Sequence, residues 1–231
     1  MNFFFSIFIL SVFFLCSLLN SFAQEKVVTE QEVTNLKNIA YEKLKSKIYR
    51  VTMISKSYKN ASDSSPNYFI KEVSEYVPPD RKREVREIID EKGTTRTEAI
   101  SIGQSKYLKI NNEEWKELSP SVRRTVQGDR VEDKKTVEVR YKGQTKIKNQ
   151  SADLYEKQIT TEYVSLNGRS TTVHIYIERF WFSKDGLFLK RESESKRDNE
   201  EDTLYINWEF DYNSKIKIAA PIIKSETKTK P

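Results

Sequence analysis

The chain reads as a mainly β protein of the α+β class: one antiparallel sheet of about ten to eleven strands, an N-terminal helix, and a short second helix or lid. Three observations carry this reading. Beyond residue 23, Ile and Val number 32 against 15 for Leu plus Ala, and β-branched side chains fit a pleated surface while losing rotamer freedom in a helix. From Tyr49 onward, apolar residues recur with a period close to two. Asn167-Gly168 and Asp185-Gly186 stand between apolar-rich runs, a strong hairpin signal because Gly takes a positive φ at no steric cost.

The first residues read as a targeting segment outside that fold. Phe3 to Leu19 is an uncharged, mostly apolar run, and Ser21-Phe22-Ala23 puts small residues at the two recognised cleavage positions. Cleavage after Ala23 predicts a periplasmic or secreted chain beginning at Gln24; an uncleaved anchor is the alternative, since the run approaches the length of a membrane span. Cys16 does not read as a lipidation site, because Phe13-Phe14-Leu15 lacks the small residue expected just before one. Seven of the twelve Phe and the only Cys lie in this segment, so the remainder has no disulfide and depends on pairing and packing. Residues 24–221 are then one β domain, and 222–231 a disordered tail.

The net charge of +6 arises from 40 basic and 34 acidic residues that interleave almost everywhere. A nucleic-acid protein concentrates its basic groups in a patch or stripe. Here the longest basic run, Arg81-Lys82-Arg83, meets Glu84 at once, which reads as a solvated strand face. Nucleic acid is therefore not an expected partner; transient contact with an anionic membrane surface is compatible with the charge.

In chain order, Thr29 to Lys47 is the helix. Thr29 and Glu32 form a capping box, and Val33, Leu36, Ala40 and Leu44 recur at helical spacing. Tyr49 to Tyr58 and Tyr68 to Val77 are strands around a polar loop, the second stopped by Pro78-Pro79. Arg81 to Asp90 and Thr94 to Ile102 make a hairpin about Gly93, and Ser105 to Ile110 follows as a strand. Trp115 to Val126, interrupted by Pro120, reads as a short helix or an ordered loop, a candidate lid. Val131 to Tyr141 is a strand that Gly143 ends in a turn. Asp153 to Tyr163, Thr171 to Phe182, Leu187 to Glu194, Thr203 to Tyr212 and Lys215 to Ala220 complete the strands.

The stretch from Thr171 to Glu194 is the most informative. Val173, Ile175, Ile177, Arg179 and Trp181 point one way, and Thr172, His174, Tyr176, Glu178, Phe180 and Phe182 the other, so both faces carry bulky apolar groups. One helix cannot cover both faces of ten strands. A strongly curved sheet with an incompletely filled concave side resolves this, with a ligand supplying the missing apolar volume.

Catalytic chemistry finds no support in the residues. His174 is the only histidine and sits in mid-strand, no G-x-S-x-G elbow accompanies it, and a zinc site has too few Cys and His ligands. The six Gly are scattered among turns and form no phosphate cradle. The expectation is a protein that is not an enzyme and takes no cofactor or metal. Asn60-Ala61-Ser62 and Asn149-Gln150-Ser151 match the short glycosylation pattern.

Several segments, in order, resemble the superfamily of outer-membrane lipoprotein-sorting proteins, the LolA/LolB carriers and LppX-type lipid-binding lipoproteins. They are Tyr76-Val77-Pro78-Pro79-Asp80-Arg81; Ile102-Gly103-Gln104-Ser105-Lys106-Tyr107-Leu108 with Trp115 beyond; Tyr141-Lys142-Gly143 leading to Ala152-Asp153-Leu154-Tyr155; Trp181 to Lys190; and Phe210-Asp211-Tyr212 through Pro221. The resemblance implies a curved antiparallel half-barrel with helices closing an apolar cavity, which carries acyl chains of lipids or lipoproteins without chemistry. The lid helices are poorly represented and no lipobox is present. The expected cavity wall is Ile175, Ile177, Trp181, Leu187, Leu189, Ile206 and Trp208, with Trp115 at the mouth; a one-residue slip would exchange the faces of any strand. An envelope sensor or protein-interaction module on the same fold, its core filled, is the alternative.

Overall fold

In the computed structural model, which describes residues 25–59, 65–118, 134–164, 171–197, 200–212 and 215–223, a single antiparallel sheet organises the chain. The strands are β1 (Lys26–Val27), β2 (Tyr49–Tyr58), β3 (Tyr68–Val77), β4 (Arg81–Asp90), β5 (Gly93–Ile102), β6 (Ser105–Ile110), β7 (Lys116–Leu118), β8 (Lys134–Ile147), β9 (Gln150–Val164), β10 (Thr171–Ser183), β11 (Phe188–Arg197) and β12 (Glu200–Asp211), with helix α1 (Glu30–Leu44) between the first two. They pair in the order β1-β8-β9-β10-β11-β12-β2-β3-β4-β5-β6-β7. Two meanders thus run outward from a central seam, where β12 pairs with β2 from Thr203↔Tyr58 to Asp211↔Arg50. The sheet is left open at both edges, the half-barrel expected, with the N-terminal helix on one face.

The helix begins where the capping box requires. Thr29 accepts from the Glu32 backbone N–H through its side chain at 3.2 Å, and its own N–H donates to Glu32 Oε2 at 2.7 Å. This satisfies two of the backbone donors that a helix start leaves unpaired. The stripe read from the sequence faces the sheet: Val33, Ala40 and Leu44 are buried together with Val139, Phe180, Phe182 and Phe188, and Leu36 packs beside them. Tyr41 meets the Phe188 ring edge-on at 5.2 Å.

The hairpin turn after β10 docks under the same helix. Gly186 N–H donates to the Ser183 carbonyl, Ser183 N–H to the Leu187 carbonyl, both at 2.8 Å, and Gly186 takes a φ of +70°. Lys43 near the helix end donates to the Asp185 carbonyl. A Cβ on residue 186 would meet Ile39 Cγ2 at 3.6 Å, an ordinary contact, so it is the positive φ rather than crowding by the helix that favours Gly at this turn.

Alternation then assigns the faces. Phe180 and Phe182 lie under the helix, whereas Trp181 packs on the opposite face with Ala152 and Leu189. That opposite face also carries charge pairs that run across the strands. Glu75 on β3 pairs with Arg50 on β2 at 2.6 Å and Arg83 on β4 at 3.6 Å, and Arg83 with Glu98 on β5 at 2.6 Å. Arg179 on β10 likewise holds Glu156 on β9 at 2.7 Å. Interleaved charge in the sequence is therefore cross-strand pairing in the sheet.

Four local expectations are corrected. Lys215 to Ala220 is not a strand: it is an extended strap whose Ile216 and Ile218 bury against Ile100, with Arg81 donating to the Ile218 carbonyl at 3.1 Å. The β12 ladder ends at Asp211, leaving the strap no free strand edge there. Trp115 to Val126 is not a helix in its described part, because Lys116–Leu118 pairs with β6; residues 119–126 lie outside the described set. Gly143 is not a turn: it sits at a register shift inside β8 with φ +93°, a bulge in which Gly takes the unusual conformation. The turn falls at Lys148-Asn149, both at positive φ (48° and 66°), as a two-residue hairpin of the primed type requires. The helix also stops at Leu44, short of Lys47. The targeting segment, the Asn167-Gly168 turn, the first glycosylation pattern and residues 224–231 lie outside the described residues.

Candidate functional site

A single helix laid across β8 to β12 leaves its flank toward β2 and β3 uncovered. There a groove of about 620 Å³ opens between the C-terminal half of α1 and the strands β12, β2 and β3. Tyr41 and Leu44 form the helix side; Tyr49, Val51 and Met53 alternate along β2, joined by Trp208 and Phe210 from β12 and by Tyr76 from β3. These residues share one face by register, since Trp208 opposes Met53, Phe210 opposes Val51, and Tyr49 opposes Tyr76. Pro78 and Pro79 at the β3–β4 connection form one end.

The aromatic floor is ordered by ring contacts. Tyr49 and Tyr76 stack with centroids 4.5 Å apart. Burial, with smaller contributions from Tyr76 and Tyr41, pushes the Tyr49 phenol up to about 12. The Tyr212 phenol is also raised, by burial and then Tyr49, and its hydroxyl donates to the Phe188 carbonyl at 2.6 Å.

Deeper along the same face, the Arg191 guanidinium lies 4.5 Å from the Trp208 ring centroid and 5.8 Å from that of Phe180, a cation–π arrangement. Its Nη2 donates to buried Glu178 at 2.6 Å, while its Nε has no partner among the described residues. Lys37 also sits over Phe180, 4.7 Å from the centroid, and desolvation lowers its pKa. The groove mouth is basic: Lys45, Lys47, Arg81 and Lys82 line it beside two carboxylates, Glu72 and Asp80.

The sequence-derived wall divides between the two faces. Trp208 lines the groove, and Ile206 shares its face by alternation in β12. Ile175, Ile177 and Trp181 occupy the opposite face of β10; Leu189, at the register shift of the β10–β11 pair, packs with Trp181 there. Leu187 belongs to the hairpin turn, its N–H donating to Ser183 Oγ at 3.1 Å. Trp115 packs beside Ile100, Ile216 and Ile218, away from the groove. The residues missed were Tyr41 and Leu44 on the helix and the Tyr49-Val51-Met53 alternation. That alternation was visible in the sequence, but its neighbour across the seam was not.

Among the described residues no cluster of three or more His, Cys, Asp or Glu is placed to hold a metal. His174 Nε2 lies 2.7 Å from Ser195 Oγ, next to Tyr163 and on the strand portion farthest from the groove. No helix of the described residues is long and apolar enough to cross a membrane.

No family model matches the chain, and no curated protein matches it. Among solved structures, it is similar to a Vibrio parahaemolyticus domain named for outer membrane lipoprotein sorting: 15% identity, 78% of this chain and 93% of that one, TM-score 0.29. It is also similar to a DUF1329 family protein from Desulfovibrio piger: 11% identity, 80% of this chain and 95% of that one, TM-score 0.29.

Proposed function

We propose that the protein is an exported carrier or chaperone that holds acyl chains of lipids or lipoproteins in the groove beside α1 and performs no chemical reaction. The observation that supports this reading is the groove itself. Its lining is largely Tyr, Val, Met, Pro, Trp and Phe, and apolar side chains left beside open volume gain from any chain that displaces water, at about 0.8 kcal/mol per buried CH₂. Met53 adds an adaptable wall. The signal-like segment in residues 1–23 supports the periplasm or exterior as the place of action, and a basic mouth suits passing contact with anionic membrane surfaces.

The test is direct. Protein purified from an exporting host is extracted and analysed by mass spectrometry, and titrated with a fluorescent fatty acid. Co-purified lipid and saturable binding are expected. Val51→Asp, which puts a charge on the groove floor, should weaken binding at least about tenfold, since an unpaired charge in an apolar site costs more than 1.4 kcal/mol, with an unchanged circular dichroism spectrum. No lipid and no saturable binding would remove the carrier reading.

A second reading is favoured by one observation. The volume under the helix is filled by Phe180, Phe182 and Phe188, all 2% exposed or less. An envelope module that binds protein partners with a filled core fits that packing, and it is the reading left standing if lipid binding fails.

A further inference from the structure

We infer that the groove beside α1 takes one single-chain amphiphile with an anionic head, a long-chain carboxylate, lying with its tail along Val51, Met53 and Phe210 and its head at Lys47. This inference rests on the carrier reading and narrows its cargo. Size limits the number of chains: at about 620 Å³, the groove falls in the range of roughly 300–1,000 Å³ typical of sites that hold one small ligand.

Charge at the mouth selects the head. Four of the lining side chains are cationic and two are carboxylates, but most are already engaged. Lys45 is held by Glu42 at 2.6 Å, Lys82 by Glu84 at 2.5 Å, and Glu72 by Arg86 at 2.5 Å. Arg81 spends a guanidinium N–H on the Ile218 carbonyl of the strap. Two lining charges, Lys47 and Asp80, form no ion pair among the described residues; Asp80 stands at the β3–β4 end with Pro78 and Pro79, whereas Lys47 is exposed just past the end of α1 beside the apolar floor. A free ammonium at the rim of an apolar trough matches a monoanionic head on a single tail. A neutral ester would leave that charge without a counter-ion and would gain only from the trough.

The experiment titrates the delipidated full chain with cis-parinaric acid and, separately, its methyl ester, at low and at high salt. Expected are one-to-one binding and an acid preference of about three- to fivefold, the size of an exposed ion pair, shrinking at high salt. Lys47→Glu should remove the preference and leave ester binding unchanged, and Lys47→Arg should restore it. Equal affinity for acid and ester, or a preference that survives Lys47→Glu, overturns the assigned head while the carrier reading stands. Two or more chains bound per protein overturns the single-chain assignment. Binding only to anionic vesicles, with no saturable uptake of free acid, overturns the inference in favour of surface attachment. If neither acid nor ester binds, the inference and the carrier reading fall together.

Discussion

Thr29 and Tyr49 illustrate how single side chains set measurable properties. Thr29 holds the helix start through its hydroxyl and through Glu32, so Thr29→Ala should cost about 0.5–2 kcal/mol in urea unfolding; a loss below that range would mean that packing of Val33 and Ala40 alone positions the helix. Tyr49 is a different case. Its folded-state pKa of about 12 lies above the ordinary tyrosine value near 10, so the fold favours the neutral phenol. That contribution is complete below about pH 10 and is lost as the pH rises toward 12, because the unfolded chain ionises first. Denaturant stability should therefore fall between pH 10 and 12, and fall less steeply in Tyr49→Phe. Identical slopes in both proteins would assign the effect to other phenols.

At the scale of elements, the charge lattice and the strap answer the problem of covering twelve strands with one helix. The lattice is half-buried, with Glu75 itself at 8% exposure, so removing one partner would leave a covered charge unpaired; the pairs hold neighbouring strands in register. The strap is apolar where it touches the sheet, with Ile216 and Ile218 at 8% and 4% exposure. Ile218→Ala should cost about 2–5 kcal/mol and loosen amide protection in β4 to β6, read by hydrogen exchange. Protection lost equally throughout the sheet would show that the strap is part of one cooperative unit. The missed strand at Lys215 to Ala220 has its reason here: alternating Ile and Lys reads as a half-buried strand, and it is half buried, but against a face instead of along an edge.

For the whole molecule, the seam between β12 and β2 decides the architecture. It joins residues such as Thr203 and Tyr58, far apart in the chain, whereas each meander pairs strands adjacent in sequence. Loop-closure entropy is met before such a contact stabilises anything, so folding is expected in milliseconds to seconds. Stopped-flow refolding followed by Trp208 fluorescence, with Trp115 and Trp181 replaced by Phe, tests this; microsecond relaxation would contradict it.

Local chemistry, read along the chain, determined the α+β class, the capping box at Thr29, the stripe of α1, the Ser183–Gly186 turn and the opposed faces of β10, because periodicity, caps and turns depend on neighbours a few residues away. The sequence placed Trp181 and Trp208 in one wall; the tertiary structure puts them on opposite faces. Trp181 opposes Lys190 and Lys190 opposes Glu209, so Trp208 falls on the other face; parity across non-adjacent strands depends on every intervening register. The groove exists because β12 lies beside β2 and the helix covers only one side of that seam. No local pattern records that long-range pairing; only the folded sheet decides it.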